Sequence, residues 1–152
     1  MTKTIIIIPS RLAATRLPNK PLLKINGLSI INHVYQKAKS AEIGNVYVAT
    51  GDEEIFKEVN NNGGVSILTN KEHKTGTDRI FEAYEKLDSN KIEYIINLQG
   101  DEPMIDIDDI KNLNNKAINK KSEIATLASK IKEKKMLKKN NIVKVITEEK
   151  LL

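Results

Sequence analysis

The chain has 152 residues, the length of a single domain, and its 39% hydrophobic and 30% charged residues are an ordinary composition for a globular protein. The absence of cysteine excludes a disulfide framework and a thiolate metal site, and two histidines are too few to favour a zinc site. No apolar run approaches a membrane span, and the four isoleucines near the N-terminus are too few for a signal peptide, so we expect a cytoplasmic protein without a membrane partner.

The net charge of +5 is unevenly distributed, because residues 111–152 contain twelve lysines and four glutamates. Such a stretch could contact the phosphates of a nucleic acid. It lacks arginine, aromatic residues for base stacking and any recognisable nucleic-acid-binding motif. We interpret it as a solvated surface and expect no nucleic-acid partner; a basic nucleic-acid-binding module is the weakest of the alternatives.

The chain begins with a predicted buried strand that leads into a cationic loop. Residues 5–8 are four consecutive isoleucines, which is typical of a strand buried on both faces, and Pro9 is expected to end it. The cationic loop (residues 11–20) and the residue before it contain the polar side chains Ser10, Arg11, Thr15, Arg16 and Lys20. An anion-binding loop and a solvated basic loop are equally compatible with this segment alone.

The rest of the chain alternates predicted helices and strands. A turn at Asn26–Gly27 precedes a helix over about 29–41, and further helices are predicted at 53–61, 78–87 and 108–119. The helix at 78–87 is expected to bury Ile80, Phe81, Tyr84 and Leu87. The later strands are predicted at 46–50, 65–68, 92–98, 124–128 and 142–147. This alternation predicts an α/β fold with a mostly parallel sheet, and the absence of a capping element after the last strand suggests a C-terminal truncation.

Three polar segments follow predicted strands: 10–20, 74–79 and 99–102. They should meet at the carboxyl edge of the sheet, where ligands bind in folds of this kind. Arginine and lysine in the cationic loop could neutralise a triphosphate, and Asp101 is a suitable oxygen ligand for Mg²⁺. A simple turn before Pro103 is the alternative explanation of Asp101. The sequence has neither a P-loop nor a dinucleotide-binding glycine motif.

The segments IPSRLAATRLPNKPL, HKTGTDR and NLQGDEP, in this order and spacing, resemble those of the 3-deoxy-manno-octulosonate (Kdo) cytidylyltransferases. The resemblance extends from residue 4 to about residue 146. It implies a Rossmann-like three-layer α/β/α fold of the nucleotide-diphospho-sugar transferase type, in which residues 1–152 are the CTP-binding part of one domain. It also implies that CTP and Kdo are converted to CMP-Kdo and pyrophosphate, with Mg²⁺, for lipopolysaccharide synthesis in the cytoplasm, and that the full-length protein is a homodimer.

The resemblance assigns roles to particular residues. Arg11 and Lys20 match phosphate-binding residues and, with Asp101 as the Mg²⁺ ligand, form the implied catalytic group. The other residues that it places near the nucleotide are Ser10, Thr15, Arg16, Thr75, Gly76, Thr77 and Gln99. The segment 75–77 corresponds to the lining of the cytosine pocket, and Gln99 to a position beside nucleotide and sugar.

Two departures from the family pattern leave alternatives open. Gly51 stands where many relatives have Asp, which removes a polar group near the base. The family also continues beyond residue 152, with a second metal-binding aspartate, most Kdo contacts and the dimer interface. The alternatives are therefore another sugar nucleotidyltransferase, such as a CMP-sialic acid synthetase, and an inactive CTP-binding fragment.

Overall fold

A computed structural model describes residues 4–13, 17–87 and 91–145. The strands, in chain order, are β1 (Thr4–Ser10), β2 (Lys24–Ile25), β3 (Leu28–Ser29), β4 (Val46–Thr50), β5 (Ser66–Leu68) and β6 (Tyr94–Asn97). The helices are α1 (Ile30–Ser40), α2 (Glu53–Asn61), α3 (Gly76–Glu85), α4 (Ile107–Lys120) and the single turn α5 (Lys134–Leu137), with a 3₁₀ helix at Lys20–Leu22.

The main sheet of the described residues is parallel and has the strand order β5-β4-β1-β6. The predicted bounds of β4 and α2 are confirmed, and the other helices and strands that are confirmed begin and end within two residues of prediction. The predicted turn at Asn26–Gly27 joins β2 and β3, which form an antiparallel hairpin. The predicted α/β fold with a mostly parallel sheet is therefore confirmed.

Strand β1 does not end at Pro9 as predicted, but continues to Ser10, with Pro9 in register with Ala49 of β4. The carbonyl of Ile7 accepts a hydrogen bond on the β6 side, and Pro9, two residues later, faces the same side. Strand β6 ends at Asn97, level with Ile7. The missing N–H of proline is therefore tolerated because no ladder partner lies opposite it.

The sheet separates two apolar layers, because alternate isoleucines of β1 point to opposite faces. Ile6 and Ile8 pack in one cluster with residues of α1, α2 and α4. Ile5 and Ile7 pack on the other face in a cluster that includes Ile80 of α3. This arrangement confirms the expected three-layer α/β/α architecture and places α3 on the opposite face of the sheet from α1, α2 and α4.

Helix α3 begins at Gly76, two residues earlier than predicted, and it does not bury Phe81, whose exposure is 60%. The inner face of α3 carries Ile80 and Ala83, with Tyr84 packed beside them. Successive residues of an α-helix are rotated by about 100°, so Phe81 lies on the flank of this face. The prediction that α3 buries Phe81 was therefore wrong, because the inner face is centred on the preceding residue, Ile80.

The two last predicted strands are wrong as far as the structure describes them. Residues 124–128 and 142–145 have no strand pairing, and Ile124 and Val143 are more than nine-tenths exposed; residues 146–147 lie outside the described ranges. A strand exists only when a neighbour accepts and donates its backbone hydrogen bonds, and local β-branched composition cannot provide that neighbour. In the described part of the chain, no helix is long and apolar enough to cross a membrane.

Candidate active site

A cleft of about 340 Å³ opens at the carboxyl edge of the sheet, beside the end of β1. From β1 the chain proceeds through β4 to β5 on one side, whereas β6 lies on the opposite side of β1. Such a reversal of strand order is where open parallel sheets bind their ligands. The cleft is lined from the three segments that were expected to meet there, namely those after β1, before and within α3, and after β6.

Opposite charges from two of these segments meet across the cleft. The Nζ of Lys20 donates a hydrogen bond of 2.7 Å to Oδ2 of Asp101, and both side chains remain partly exposed, at 33% and 56%. An ion pair of this exposure contributes roughly 0–1 kcal/mol to folding. Both groups are therefore available to a ligand at small cost in stability.

Gly100 allows the segment after β6 to lie directly against β1. A Cβ atom added at this residue would lie 3.0 Å from the carbonyl oxygen of Pro9 and 3.3 Å from Cδ1 of Ile31. Since these contacts are closer than most real Cβ contacts allow, a side chain at residue 100 would push the segment away from β1. Gly100 thereby sets the position of the neighbouring Asp101 relative to Lys20.

Ser10 supplies a buried hydroxyl group to the cleft. The residue is 7% exposed, and its Oγ has no hydrogen-bond partner within the described residues. A buried polar group without a partner costs roughly 1–3 kcal/mol, and such groups are rare in folded proteins. A ligand in the cleft could provide the missing partner.

The N-terminus of α3 forms another part of the lining. Thr75 is its N-cap residue, and Oγ1 of Thr75 accepts from the backbone N–H of Asp78 at 3.1 Å. The first N–H groups of a helix have no acceptor within the helix and carry a partial positive charge. Because Gly76, the first helical residue, lines the cleft, this end of α3 favours an anionic or carbonyl oxygen.

Arg79 links α3 to the loop that precedes it, which we call the α3 loop (residues 69–75). Its guanidinium group is buried and donates to Oγ1 of Thr69 at 2.6 Å and to the carbonyl oxygen of Asn70 at 3.1 Å. Burial lowers the pKa of Arg79, the carboxylates of Asp52 and Glu82 oppose this effect, and the positive charge of Arg11 adds to it. Arg79 thus holds the α3 loop while contributing positive charge to the cleft.

Glu82 is the second anchor of the α3 loop. Its carboxylate accepts the backbone N–H of Asn70 at 2.8 Å and pairs with Lys86 at 2.6 Å and with Nε2 of His73. The hydrogen bond from Lys86 lowers the pKa of Glu82 most, burial opposes it, and the contacts with Asn70 and His73 lower it further, to about 2. His73, which lines the cleft, is therefore held by a carboxylate that stays ionised.

Seven of the residues predicted for the site line the cleft. They are Ser10, Arg11, Lys20, Thr75, Gly76, Gln99 and Asp101. Thr77 is exposed in the first turn of α3 and is not among the lining residues. Thr15 and Arg16 lie outside the described residues.

The sequence analysis placed the segment 74–79 at this edge but did not select Lys74 or Arg79 as site residues, although both line the cleft. The position of Arg79 was a usable signal, because an arginine four residues before Ala83 and next to Ile80 falls on the inner face of a helix. A buried arginine at such a position is a good candidate for an anchoring or binding group.

Asp101 is suited to Mg²⁺ by chemistry, but it offers a single carboxylate. Within residues 4–13, 17–87 and 91–145 no group of three or more histidine, cysteine or acidic residues could hold a metal ion. Mg²⁺ bound to nucleotides commonly takes one or two protein carboxylates and completes its shell with phosphate oxygens and water. The residues present therefore fit a metal that arrives with a nucleotide, rather than one held by the protein alone.

The chain is similar to known cytidylyltransferases in sequence and in structure. The 3-deoxy-manno-octulosonate cytidylyltransferases of Nitrobacter hamburgensis and Rhodopseudomonas palustris are 45% and 46% identical over 146 residues, or 95% of this chain. The solved structure of a CMP:2-keto-3-deoxy-manno-octonic acid synthetase complexed with CTP is 40% identical, with a TM-score of 0.74 over 79% of this chain and 49% of that chain.

These matches define how much of the relatives the chain represents. It covers 57% and 60% of the lengths of the two curated relatives, or about three-fifths. A sequence model described as cytidylyltransferase matches residues 5–151, almost the whole chain. The chain therefore belongs to the cytidylyltransferase family.

Proposed function

We propose that this chain is the CTP-binding part of an enzyme that transfers the cytidylyl group of CTP to Kdo, giving CMP-Kdo and pyrophosphate. The observation that carries the proposal is the convergence of Arg11, Lys20 and Asp101 on one cleft at the switch point of the sheet. Cations and a carboxylate at this place suit a nucleoside triphosphate and its metal. A synthetase that is 40% identical was solved with CTP bound, which supports CTP as the nucleotide.

In this proposal the cationic loop binds the phosphates. Arg11 can offer forked hydrogen bonds to two phosphate oxygens, and Lys20 offers a point charge once it leaves Asp101. The N-terminus of α3 and the unpartnered hydroxyl of Ser10 would receive other oxygen atoms of the nucleotide. Thr75 and Gly76 would face the cytosine, and Gln99 the ribose or the sugar acid.

The reaction needs no covalent intermediate with the protein. The anomeric hydroxyl oxygen of Kdo forms a bond to the α-phosphorus of CTP, the bond from that phosphorus to the bridging oxygen breaks, and pyrophosphate leaves with the electron pair. The hydroxyl proton passes to solvent or to pyrophosphate. Arg11 and Lys20 stabilise the charge that gathers on the phosphate oxygens, and one cleft for both substrates supplies orientation. Mg²⁺, held by Asp101 and the phosphates, would supply further charge neutralisation.

This function places the protein in the cytoplasm, where CTP is synthesised, and in the supply of an activated sugar acid for lipopolysaccharide. The names of the curated relatives support Kdo as the acceptor. The homodimer and the absence of a nucleic-acid partner remain predictions.

The first test is calorimetric titration of the chain with CTP in the presence and absence of Mg²⁺. We expect binding that Mg²⁺ strengthens, and Asp101→Ala should abolish the strengthening while leaving metal-free binding within about threefold, since a partly exposed ion pair contributes little. Glu102→Gln is the matched control, because Glu102 is the exposed neighbouring acid and does not line the cleft. A folded chain that binds GTP, ATP and CTP equally, or none of them, would contradict the proposal.

The second test is CTP-dependent pyrophosphate release with Kdo and Mg²⁺. Release that requires Kdo and is lost in Asp101→Ala would establish both the reaction and the sufficiency of these residues. Binding of CTP without release would indicate a nucleotide-binding part that needs the remaining two-fifths of the relatives' length. Release with N-acetylneuraminate but not with Kdo would identify a CMP-sialic acid synthetase instead.

A further inference from the structure

Asp52 is a buried carboxylate that lies outside the cleft lining yet contacts two of its walls. It occupies the N-cap position of α2, two residues after the end of β4, and its side chain is only 6% exposed. No side-chain hydrogen bond caps the helix. Instead Oδ2 accepts the backbone N–H of Leu12 at 2.8 Å, and Oδ1 pairs with Nζ of Lys71 at 3.3 Å.

The surroundings of Asp52 make this orientation stable. Burying a carboxylate is costly unless hydrogen bonds and opposite charges compensate for the lost water. The N–H of Leu12 and the ammonium group of Lys71 provide both, and Asp52 also acts electrostatically on the buried Arg79, whose pKa it raises against the effect of burial. The carboxylate is thus the buried counter-charge beneath a cluster of cations.

The contact with Leu12 fixes the first part of the cationic loop. Leu12 lies between Arg11 and Ala13, both of which line the cleft. Because the N–H of Leu12 belongs to the peptide group that joins it to Arg11, its hydrogen bond restricts the backbone from which the Arg11 side chain extends. Arg11 itself is exposed, so this backbone contact limits where its guanidinium group can go.

The contact with Lys71 reaches the α3 loop on the other wall. Gly51 makes this approach possible, because a Cβ atom at residue 51 would lie 2.6 Å from Cα of Lys71. Gly51 therefore allows the α3 loop to pack closely over β4. Asp52 consequently connects the two walls at their bases.

We propose that Asp52 is a positioning residue, which holds the cationic loop so that Arg11 meets the phosphates of the nucleotide in a preset place. This inference rests on the proposed function, since it assumes that the ligand carries phosphates. Preorganisation of a binding group raises affinity by reducing the ordering cost of binding. Asp52 contacts the loop at Leu12 and is not among the residues that line the cleft.

The test compares CTP with cytidine in Asp52→Ala and Asp52→Asn. Asp52→Ala removes the acceptor of the Leu12 N–H, and we expect CTP affinity to fall about tenfold with cytidine affinity unchanged within twofold, as expected for one charge-assisted hydrogen bond. Asp52→Asn keeps an oxygen acceptor for Leu12, so its CTP affinity should fall by no more than about threefold, which is half of the tenfold loss on a logarithmic scale. Asp106→Ala is the control, because Asp106 also accepts a backbone N–H at a helix N-cap, but away from the cleft.

Equal losses for CTP and cytidine, or unchanged CTP affinity in Asp52→Ala, would overturn the positioning role. A general loss of stability would lower the affinity for CTP and for cytidine alike and would lower the temperature of thermal unfolding. If the wild-type chain binds neither compound, the proposed function fails, and amide hydrogen exchange then tests Asp52 separately. Exchange of the Leu12 amide should accelerate at least tenfold in Asp52→Ala and not in Asp106→Ala, and an unchanged rate would refute the contact itself.

Discussion

The two walls of the cleft are held in place by different kinds of contact. On the wall of the cationic loop, Lys20 is held by Asp101, and both side chains are partly exposed at the cleft. On the opposite wall the α3 loop is held from behind by Arg79 and Glu82, both on α3. The Lys20–Asp101 contact of the first wall therefore uses groups that a ligand would also use. The contacts of Arg79 and Glu82 on the second wall are ones that a ligand would leave in place.

This difference has a consequence for binding and stability. A nucleotide that takes Lys20 away from Asp101 replaces one charge-assisted hydrogen bond with another, so the first wall can exchange partners at low cost. The contacts of Arg79 are buried and have no such replacement. Substitutions in the first wall should mainly change affinity, and substitutions in the second wall should mainly change the free energy of unfolding.

The largest effect is expected for Lys20→Ala. The variant removes a charge that the nucleotide would use, so CTP affinity should fall about 100-fold, in the range of one or two hydrogen bonds between charged groups. The free energy of unfolding should change by less than about 1 kcal/mol, because the ion pair is partly exposed. Calorimetry and urea unfolding measure the two quantities.

Lys24→Ala is the control for this experiment, since Lys24 lies exposed in β2 and does not line the cleft. An Lys20→Ala protein that keeps wild-type CTP affinity would remove the cationic loop from the proposed phosphate site. If the variant lost more free energy of unfolding than free energy of CTP binding, the proposed difference between the two walls would be contradicted.

The second wall is tested by Arg79→Met. Loss of the guanidinium group leaves Oγ1 of Thr69 and the carbonyl of Asn70 without their buried donors, and we expect the free energy of unfolding to fall by about 2–3 kcal/mol. Arg79→Lys keeps a charge but not the forked geometry and should fall between Arg79→Met and wild type. A change below about 0.5 kcal/mol in urea unfolding would show that the α3 loop is held by other contacts.

The pH dependence of stability should reveal Glu82. Its pKa in the folded protein is about 2, below the ordinary value of 4.5, so its contribution to stability is complete above about pH 4.5 and is lost as the pH falls toward 2. Glu82→Gln should reduce the free energy of unfolding by about 1 kcal/mol at pH 7, a value reduced for partial exposure to solvent, and by progressively less below pH 4.

The measurement is urea unfolding of wild type and variant from pH 7 to pH 3, because the difference between the two isolates Glu82 from the other acids. Glu85→Gln provides the matched control on the exposed side of the same helix. A difference between Glu82→Gln and wild type that stays constant over this pH range would contradict the low pKa of Glu82.

The parts of the fold that could be predicted are those whose signals are local. The run Val46–Thr50 is apolar and β-branched and is followed by Gly51 and Asp52, so both β4 and the start of α2 were placed correctly. The residues near 124 and 143 carry a similar local pattern, but no neighbouring strand pairs with them in the described residues. Local composition cannot distinguish these two situations.

The candidate site shows the same limit. The cationic loop and Asp101 could be placed at one edge of the sheet because parallel strands end together. Asp52 and Arg79 could not be assigned their contacts, because the partners of Asp52 are 40 and 19 residues away in the chain for Leu12 and Lys71. Which backbone group a buried charge will contact depends on tertiary packing.

The smallest predicted effect concerns Ser10, and it separates binding from stability most directly. The Oγ of Ser10 is buried and has no hydrogen-bond partner among the residues that the structure describes. Ser10→Ala should therefore leave the free energy of unfolding unchanged or raise it by up to about 1 kcal/mol. If the hydroxyl donates to the nucleotide, the same variant should lower CTP affinity about three- to tenfold. Stability and affinity would then change in opposite directions, which no loss of folding can produce.

Ser66→Ala is the matched control, because Oγ of Ser66 donates to the carbonyl oxygen of Phe56 at 3.1 Å. Removing that satisfied hydroxyl should lower stability by about 1 kcal/mol and leave CTP affinity unchanged. If Ser10→Ala behaves like Ser66→Ala, Ser10 has a partner within the protein, and the wall formed by β1 and the cationic loop offers the nucleotide only its charges. If the two variants differ as expected, the end of β1 contributes a specific hydrogen bond in addition to the positive charge of the loop that follows it.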